Sequence, residues 1–130
     1  MASLVLAVVA EPGCARRTRA PVPARIGSTE TGIASWYGVP YHGRQAASGE
    51  VYDMEKLTAA HQRLAFQTWV EVTNLRNGKQ VNVRITDRGP FVRGRIIDLS
   101  WAAAREIDMV RSGTDRVRLK VIQPPRERRR

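Results

Sequence analysis

The sequence predicts a single all-β domain, a small closed barrel of about six strands with one short helix. The 130 residues suggest one domain with one core of useful size. Between residues 32 and 122, short apolar runs recur and are separated by Gly, Pro and Asn, a pattern typical of strands joined by tight turns. One stretch has apolar residues at helical spacing instead.

The clearest pair of strands lies on either side of Asn77-Gly78, in TWVEVTNLRNGKQVNVRITD. Asn-Gly favours a two-residue type I′ turn, because both turn positions need a positive φ. Such a loop would place Val72 opposite Val83 on the buried face. It would place Glu71 opposite Arg84 on the other face, as a pair of opposite charges.

The remaining elements follow from shorter runs. Four stretches are candidate strands: GIASWYG, KLTAAH, RIIDLS and RVRLKVIQ. The stretch SWAAAREI predicts the helix, since Trp101, Ala104 and Ile107 recur at helical spacing. Either Ser100 or Asp98 can cap its N-terminus.

The N-terminal segment has the features of an export signal. Residues 1–10 form an apolar run that is shorter than the roughly 20 residues a membrane span requires. Cys14, the only cysteine, follows a small residue as in bacterial lipoprotein signals, and is therefore the candidate lipidation site. The alternative is ordinary cleavage after VVA, with Cys14 left as a free thiol. We expect export to the periplasm or cell envelope, with a lipid anchor at Cys14 as the only membrane contact.

The predicted organisation has four parts. Residues 1–14 are the signal, residues 15–31 a linker rich in Pro and Arg, residues 32–122 the barrel, and residues 123–130 a basic disordered tail. A single cysteine excludes an intrachain disulfide.

The net charge of +10 indicates polyanionic surroundings. Nucleic acid, an anionic membrane face and an anionic wall polymer are the three classes that fit. The export signal and the lack of a recognition helix or known binding motif argue against nucleic acid. The two histidines show no metal-ligand spacing, so we expect no metal and no cofactor.

Asp87 is the most informative polar residue. It follows the alternating apolar residues 81, 83 and 85 at the same two-residue spacing. We therefore expect its side chain on the same side as theirs, the core side, at the end of the sheet. The predicted register places Thr86 opposite Trp69 and makes Asp87 the first residue beyond the regular pairing. Gly89-Pro90 then turns the chain away and leaves the carboxyl group partly desolvated at the strand end. A carboxyl group in such a position can serve as a general acid. The alternative, which composition alone favours, is a turn aspartate that accepts backbone N–H bonds.

Other side chains are candidates on weaker grounds. His61 ends LTAAH, where it is either a polar strand end or the partner of a carboxylate. Glu50 lies in a loop of small residues, where most glutamates are solvated. Three aromatic residues lie close to glycines, and either stack on sugar faces or pack in the core: Trp36, Tyr37 and Tyr41.

Four stretches in this order resemble the rare lipoprotein A (RlpA) family over residues 32–122: GIASWYGVPYHGRQAASGEVYD, LTAAH, VEVTNLRNGKQVNVRITDRGPF and RIIDLSWAAAREI. The resemblance implies a six-stranded double-psi β-barrel. It also implies an exported, often lipid-anchored, endolytic lytic transglycosylase acting on peptidoglycan. The family's catalytic aspartate falls on Asp87, its functional histidine on His61 and its motif glutamate on Glu50.

The resemblance further implies the reaction. Such enzymes cleave the MurNAc-β-1,4-GlcNAc bond of glycan strands and form a 1,6-anhydro-MurNAc end, with one carboxyl group acting as acid and then as base. We therefore expect Asp87 to be that group, with Trp36, Tyr37 and Arg88 lining the substrate groove. The expected partner is the glycan strand, and we expect a monomer. The alternative function is a barrel that binds peptidoglycan without cutting it, as expansin-like barrels bind wall polysaccharide.

Overall fold

The computed structural model describes residues 25–126. Its elements, in chain order, are β1 (Thr29–Tyr37), β2 (Thr58–His61), β3 (Trp69–Asn74), β4 (Gln80–Asp87), β5 (Arg95–Ser100), α1 (Trp101–Glu106) and β6 (Thr114–Gln123). The prediction of an all-β fold with six strands and one short helix is confirmed. Cys14 and the rest of the predicted signal lie outside the described residues.

The six strands close into a barrel in the order β1-β5-β2-β4-β3-β6. Two pairs are parallel, β1 with β5 and β2 with β4, and the other four are antiparallel. Each parallel pair joins strands that are far apart in the sequence. Closure leaves no free sheet edge in the barrel, which removes the usual risk of edge-to-edge association.

The barrel begins earlier than the apolar pattern indicated. Residues 29–31 pair with β6, although they were predicted to belong to the linker. All three side chains are exposed, so their strand carries no apolar alternation. At the other end, β6 includes Gln123, the first residue of the predicted tail.

The core fills the interior of the barrel with branched aliphatic side chains. On β4, Val81, Val83 and Ile85 point inward and Asn82 points to solvent, as alternation requires. The other strands contribute residues of the same kind, and alanines and residues outside the strands join them: Val70, Val72, Ile97, Leu99, Val117, Leu119 and Val121, with Leu64, Ile107 and Met109.

The predicted register of the β3–β4 hairpin is wrong by two residues. Val72 pairs with Val81, and Glu71 pairs with Asn82 instead of Arg84. Because the shift is an even number of residues, every side chain keeps its predicted face. The alternating pattern therefore identified the two strands without determining how they pair.

The hairpin loop causes this shift. It has four residues, 75–78, closed by a hydrogen bond from the Gly78 N–H to the Asn74 carbonyl (2.7 Å). Gly78 has a positive φ of 77°, whereas Asn77 is not among the residues with positive φ. A type I′ turn needs positive φ at both positions, so the predicted two-residue turn is wrong.

The helix α1 follows β5 directly. The Ser100 hydroxyl caps it by accepting a hydrogen bond from the Ala103 N–H (3.2 Å). Ser100 is therefore the cap, and Asp98 is free for another role. Within residues 25–126, no helix is both long enough and apolar enough to cross a membrane.

Candidate active site

An open cleft of about 450 Å³ lies between strands β1, β2, β4 and β5 and two loops, residues 38–57 and 88–94. Its floor includes Ala60 and Asp87, and its walls include Trp36, Tyr37 and Arg88. Four of the six predicted catalytic and substrate-binding residues therefore lie in one place. The other two, Glu50 and His61, do not line it.

Asp87 reaches the cleft because β4 contains an irregularity at its end. The predicted pairing of Thr86 with Trp69 is wrong, and Asp87 is still part of β4, opposite Ala60 of β2. In the preceding pair, Ile85 lies opposite its partner on β2. Thr86 lies between these two pairs and has no partner on β2, so it is an extra residue in β4. Such a bulge re-aims the side chain that follows it. It brings the Asp87 carboxylate into the cleft.

The Asp87 carboxylate is fixed through one oxygen. Oδ1 accepts hydrogen bonds from the N–H groups of Ala47 (2.9 Å) and Arg88 (2.8 Å). No hydrogen bond from another described residue reaches Oδ2. Asp87 therefore does accept backbone N–H bonds, as the turn interpretation predicted, but only through Oδ1.

Arg88 is held beside Asp87 by the neighbouring loop. One guanidinium nitrogen, Nη1, donates to the carbonyl oxygens of Leu64 (2.8 Å) and His61 (3.4 Å). The guanidinium lies 4.0 Å from the centre of the Phe66 ring. Burial lowers the pKa of Arg88, and the charge of Asp87 opposes that change. The arginine is thus a fixed positive charge next to the carboxylate.

The Tyr37 hydroxyl is buried at the edge of the cleft. Its ring packs against Tyr52 with 4.4 Å between ring centres. Burial raises the pKa of Tyr37 far above its ordinary value, and the negative charge of Asp87 raises it further. The hydroxyl makes no hydrogen bond of normal geometry within residues 25–126. The Thr58 hydroxyl lies close enough to oppose the rise in the pKa of Tyr37 slightly, and Tyr37 stays protonated.

Glu50 acts on the cleft from outside. Its carboxylate forms two hydrogen bonds with Arg84 (2.7 and 2.8 Å), and those bonds lower the pKa of Glu50. Its carbonyl accepts from the Ala46 N–H (2.8 Å), which closes the loop that also supplies the Ala47 N–H to Asp87. Glu50 thus fixes the loop that orients Asp87.

His61 lies in a separate, smaller cavity of about 260 Å³. Its Nδ1 accepts hydrogen bonds from the N–H groups of Arg63 and Leu64 (3.0 Å each), and its Nε2 lies 2.8 Å from a Glu30 carboxylate oxygen. Since Nδ1 faces two donors, it carries no proton, and the proton lies on Nε2. His61 is connected to the cleft through its own carbonyl and that of Leu64, both of which accept from Arg88.

Residues 29–119 match a family model described as lytic transglycolase. The chain belongs to the lytic transglycolase family. Among its relatives, the "Endolytic peptidoglycan transglycosylase RlpA" of Campylobacter jejuni is 54% identical over 106 residues, which are 82% of this chain and 38% of that protein. The protein of the same name from Vibrio cholerae is 55% identical over 96 residues, 74% of this chain and 36% of that protein. The resemblance to RlpA is confirmed, and the chain spans less than two fifths of the length of these relatives.

Solved structures of other proteins share the fold. The Streptomyces papain inhibitor matches with a TM-score of 0.62 and 25% identity, over 75% of this chain and 97% of that one. An expansin of Clavibacter michiganensis, solved without ligand, matches with a TM-score of 0.58 and 20% identity, over 77% of this chain and 53% of that one. The prediction of a double-psi β-barrel is confirmed; the expansin likeness shows the fold alone.

The lytic transglycolase barrel also places residues in the cleft that the sequence did not single out for it. Asp98 was considered only as a helix cap, yet it lies in the cleft with Arg95 and Arg44. Phe91 lies at the rim with its side chain exposed. One signal for Asp98 was available: a carboxylate inside the apolar run RIIDLS is unusual for a buried strand.

The described part of the chain offers no group of three or more His, Cys, Asp or Glu side chains that could hold a metal ion.

Proposed function

We propose that this domain is an endolytic lytic transglycosylase of peptidoglycan, with Asp87 as its acid and base. One observation carries the proposal: Asp87 lies on the floor of an open cleft with Oδ1 held by two backbone N–H groups and Oδ2 unbound by the described residues. The names of the relatives support the same activity. The activity of the whole protein is part of the proposal, because the chain spans only a part of those relatives.

The proposed reaction cleaves the MurNAc-β-1,4-GlcNAc bond without water. Asp87, protonated at Oδ2, gives its proton to the glycosidic oxygen as the bond from that oxygen to C1 of the muramyl sugar breaks. The C6 hydroxyl of the same sugar then attacks C1, and its proton passes to Asp87. The products are a free GlcNAc hydroxyl and a 1,6-anhydro-MurNAc end. Asp87 is again protonated, so one carboxyl group serves both steps.

The residues around Asp87 have roles that fit this reaction. Arg88 supplies a fixed positive charge, and Trp36 and Tyr37 form an aromatic wall for the sugar rings. We assign Glu50 and His61 to positioning, because each contacts a loop that binds Asp87 or Arg88 and neither lines the cleft. An open cleft can accept the interior of a glycan strand, which endolytic cleavage requires.

The positive charge of the chain supports the proposed substrate, an anionic wall polymer, and the proposed location in the cell envelope. The net charge of +10 attracts an anionic wall polymer, and three arginines of the cleft add to that attraction: Arg44, Arg88 and Arg95. We propose that the protein acts in the periplasm or cell envelope on glycan strands, as a monomer. A lipid anchor at Cys14 stays a prediction.

Digestion of purified sacculi, followed by mass analysis of the soluble products, tests the proposal. Wild-type protein is expected to release fragments with 1,6-anhydro-MurNAc ends. Asp87→Asn is expected to lower the rate by about 10²- to 10⁴-fold, because general acid–base catalysis contributes about that much. Asp115→Asn is the matched control, since Asp115 pairs with Arg76 and does not line the cleft.

Two outcomes contradict the enzymatic proposal: no anhydro product from wild type, or an undiminished yield from Asp87→Asn. A second function would then apply, binding of the glycan without cleavage. The exposed rim side chains of Tyr41 and Phe91 favour it, because aromatic faces of this kind stack on sugar rings whether or not a bond breaks. Sedimentation of the protein with sacculi, without released fragments, would identify that function.

A further inference from the structure

A second carboxylate, Asp98, shares the cleft floor with Asp87. Ala60 of β2 pairs with Asp87 of β4 on one side and with Asp98 of β5 on the other. Directly paired residues of neighbouring strands point to the same face. All three residues line the cleft. With strands about 4.8 Å apart, two strand spacings separate the two aspartate Cα atoms by roughly 10 Å.

Asp98, like Asp87, is held through one carboxylate oxygen, but by side chains instead of backbone N–H groups. Its Oδ1 accepts hydrogen bonds from the Ser35 hydroxyl and from Nη2 of Arg95, the latter at 2.9 Å. The same Arg95 nitrogen donates to the Ser35 hydroxyl, so the three side chains form one cluster. Among the described residues, none donates a hydrogen bond to Oδ2. Asp98 therefore also has one oxygen held by the protein and one oxygen left for a ligand.

The Tyr37 side chain connects the two carboxylates electrostatically. The charges of Asp87 and Asp98 both raise the pKa of Tyr37, after the larger effect of burial. The cleft thus holds two carboxylates, each with one oxygen that no residue within 25–126 binds, beside a buried tyrosine hydroxyl.

The Asp98 carboxylate oxygen left unbound by the described residues suits a ligand that carries hydroxyl donors. An ionised carboxylate only accepts hydrogen bonds. A sugar ring presents hydroxyl donors around its edge, so it offers Asp98 the partner that Oδ2 lacks.

We propose that Asp98 contacts the substrate: its Oδ2 accepts a hydrogen bond from a hydroxyl of the sugar unit that is held beside Asp87, and so orients that sugar. No proton is transferred to Asp98. This inference rests on the proposed function for the identity of the ligand, a peptidoglycan glycan strand.

Glycan binding by catalytically impaired protein tests the contact. The full chain with Asp87→Asn is compared with Asp87→Asn/Asp98→Asn by calorimetry, with soluble glycan strands from amidase-treated sacculi as the probe. The second substitution is expected to weaken binding about 10- to 100-fold, the usual effect of losing a hydrogen bond to a charged group. Asp87→Asn/Asp115→Asn is the matched control and is expected to bind like Asp87→Asn.

A third double variant distinguishes a direct contact between Asp98 and the sugar from a structural role of the cluster that holds Asp98. In Asp87→Asn/Ser35→Ala, the cluster loses one partner of Asp98 but keeps the carboxylate. If Asp98 contacts the sugar, this variant binds the glycan more tightly than Asp87→Asn/Asp98→Asn at a similar melting temperature. Equal binding by Asp87→Asn and Asp87→Asn/Asp98→Asn, or equal losses in the Ser35 and Asp98 variants, overturns the inference. Neither result bears on the anhydro products of wild type, so the proposed function is judged separately.

Discussion

His61 uses both ring nitrogens inside the protein. Nδ1 accepts from two backbone N–H groups, and Nε2 lies against Glu30, so neither nitrogen faces the cleft. A ring in this position shapes the loop that follows it. That loop supplies the Leu64 carbonyl to Arg88, and Arg88 lies next to Asp87. At the scale of single residues, the position of Arg88 beside Asp87 depends on such indirect contacts.

Two substitutions of His61 test the hydrogen bonds of its two ring nitrogens separately. In His61→Asn, the side-chain oxygen can accept the N–H groups of residues 63 and 64, as asparagine does in local turns. In His61→Gln, the amide reaches toward Glu30 and leaves those N–H groups unpaired, at a cost of about 1–3 kcal/mol. We expect His61→Asn to digest sacculi faster than His61→Gln.

The initial rate of release of anhydro fragments measures the difference, and thermal unfolding of both variants serves as the control. Equal and complete loss of activity in two folded variants would indicate that the imidazole itself takes part in the chemistry.

The candidate site residues differ in how local their sequence signal is. Asp87 was predicted because it ends an alternating strand before Gly89-Pro90. Asp98 was not predicted for the cleft, since its place there arises only when β5 pairs with β2, and no local pattern reports that pairing. Glu50 and His61 were predicted as members of motifs, but their distance from the cleft follows from loop packing that a sequence does not express.

Among the elements, the loop of residues 45–51 links an ion pair to the cleft. Its ends meet in a bridge between Gln45 and Val51, and Glu50 ties it to Arg84 on β4. The hairpin prediction had assigned Arg84 to Glu71 instead. The strand pattern placed Arg84 on the outer face correctly, but only the register decides which carboxylate it meets.

Glu50→Gln is expected to lower stability in a manner that depends on pH. Since Arg84 holds the pKa of Glu50 below its ordinary value of 4.5, the ion pair contributes its full stabilisation above that value. The contribution falls as the pH drops below 4.5 and through the lowered pKa. The side chains are partly exposed, so we expect about 1 kcal/mol or less at pH 7.

Urea unfolding of wild type and Glu50→Gln at pH 7 and at pH 3 measures this contribution. The exposed Glu106, for which no ion pair is found among the described residues, provides the control variant Glu106→Gln. A difference between wild type and Glu50→Gln that is larger at pH 3 than at pH 7 would contradict the assignment.

At the scale of the whole molecule, the barrel combines a small apolar interior with a strongly basic exterior. Six strands and the helix were predictable, because alternation and turn residues recur along the chain. The strand order was not predictable from the residues alone, since β1 pairs with β5 and β2 with β4 across long stretches of sequence. The resemblance to a known family supplied the closed topology that local patterns lack.

The net charge of +10 predicts binding to sacculi that weakens with salt. Ions screen exposed charges beyond about 10 Å at 0.1 M ionic strength, so the general attraction to an anionic polymer declines first. We expect the Asp87→Asn protein to sediment with sacculi several-fold less at 0.5 M than at 0.05 M sodium chloride. Circular dichroism at both concentrations controls for folding, and salt-independent sedimentation would contradict the prediction.

Ala60 separates the two aspartates of the cleft floor and contributes only a methyl group there. The side chain at position 60 therefore matters through its size, since it carries no polar group. A single methyl between two acids makes a notch whose depth is fixed by the backbone of β2, the strand both acids pair with. The width available to a ligand is thus a property of strand spacing, which a barrel closed on itself cannot easily adjust. For the proposed glycan contact, a bulkier residue at position 60 would leave both acids in place and fill the space between them.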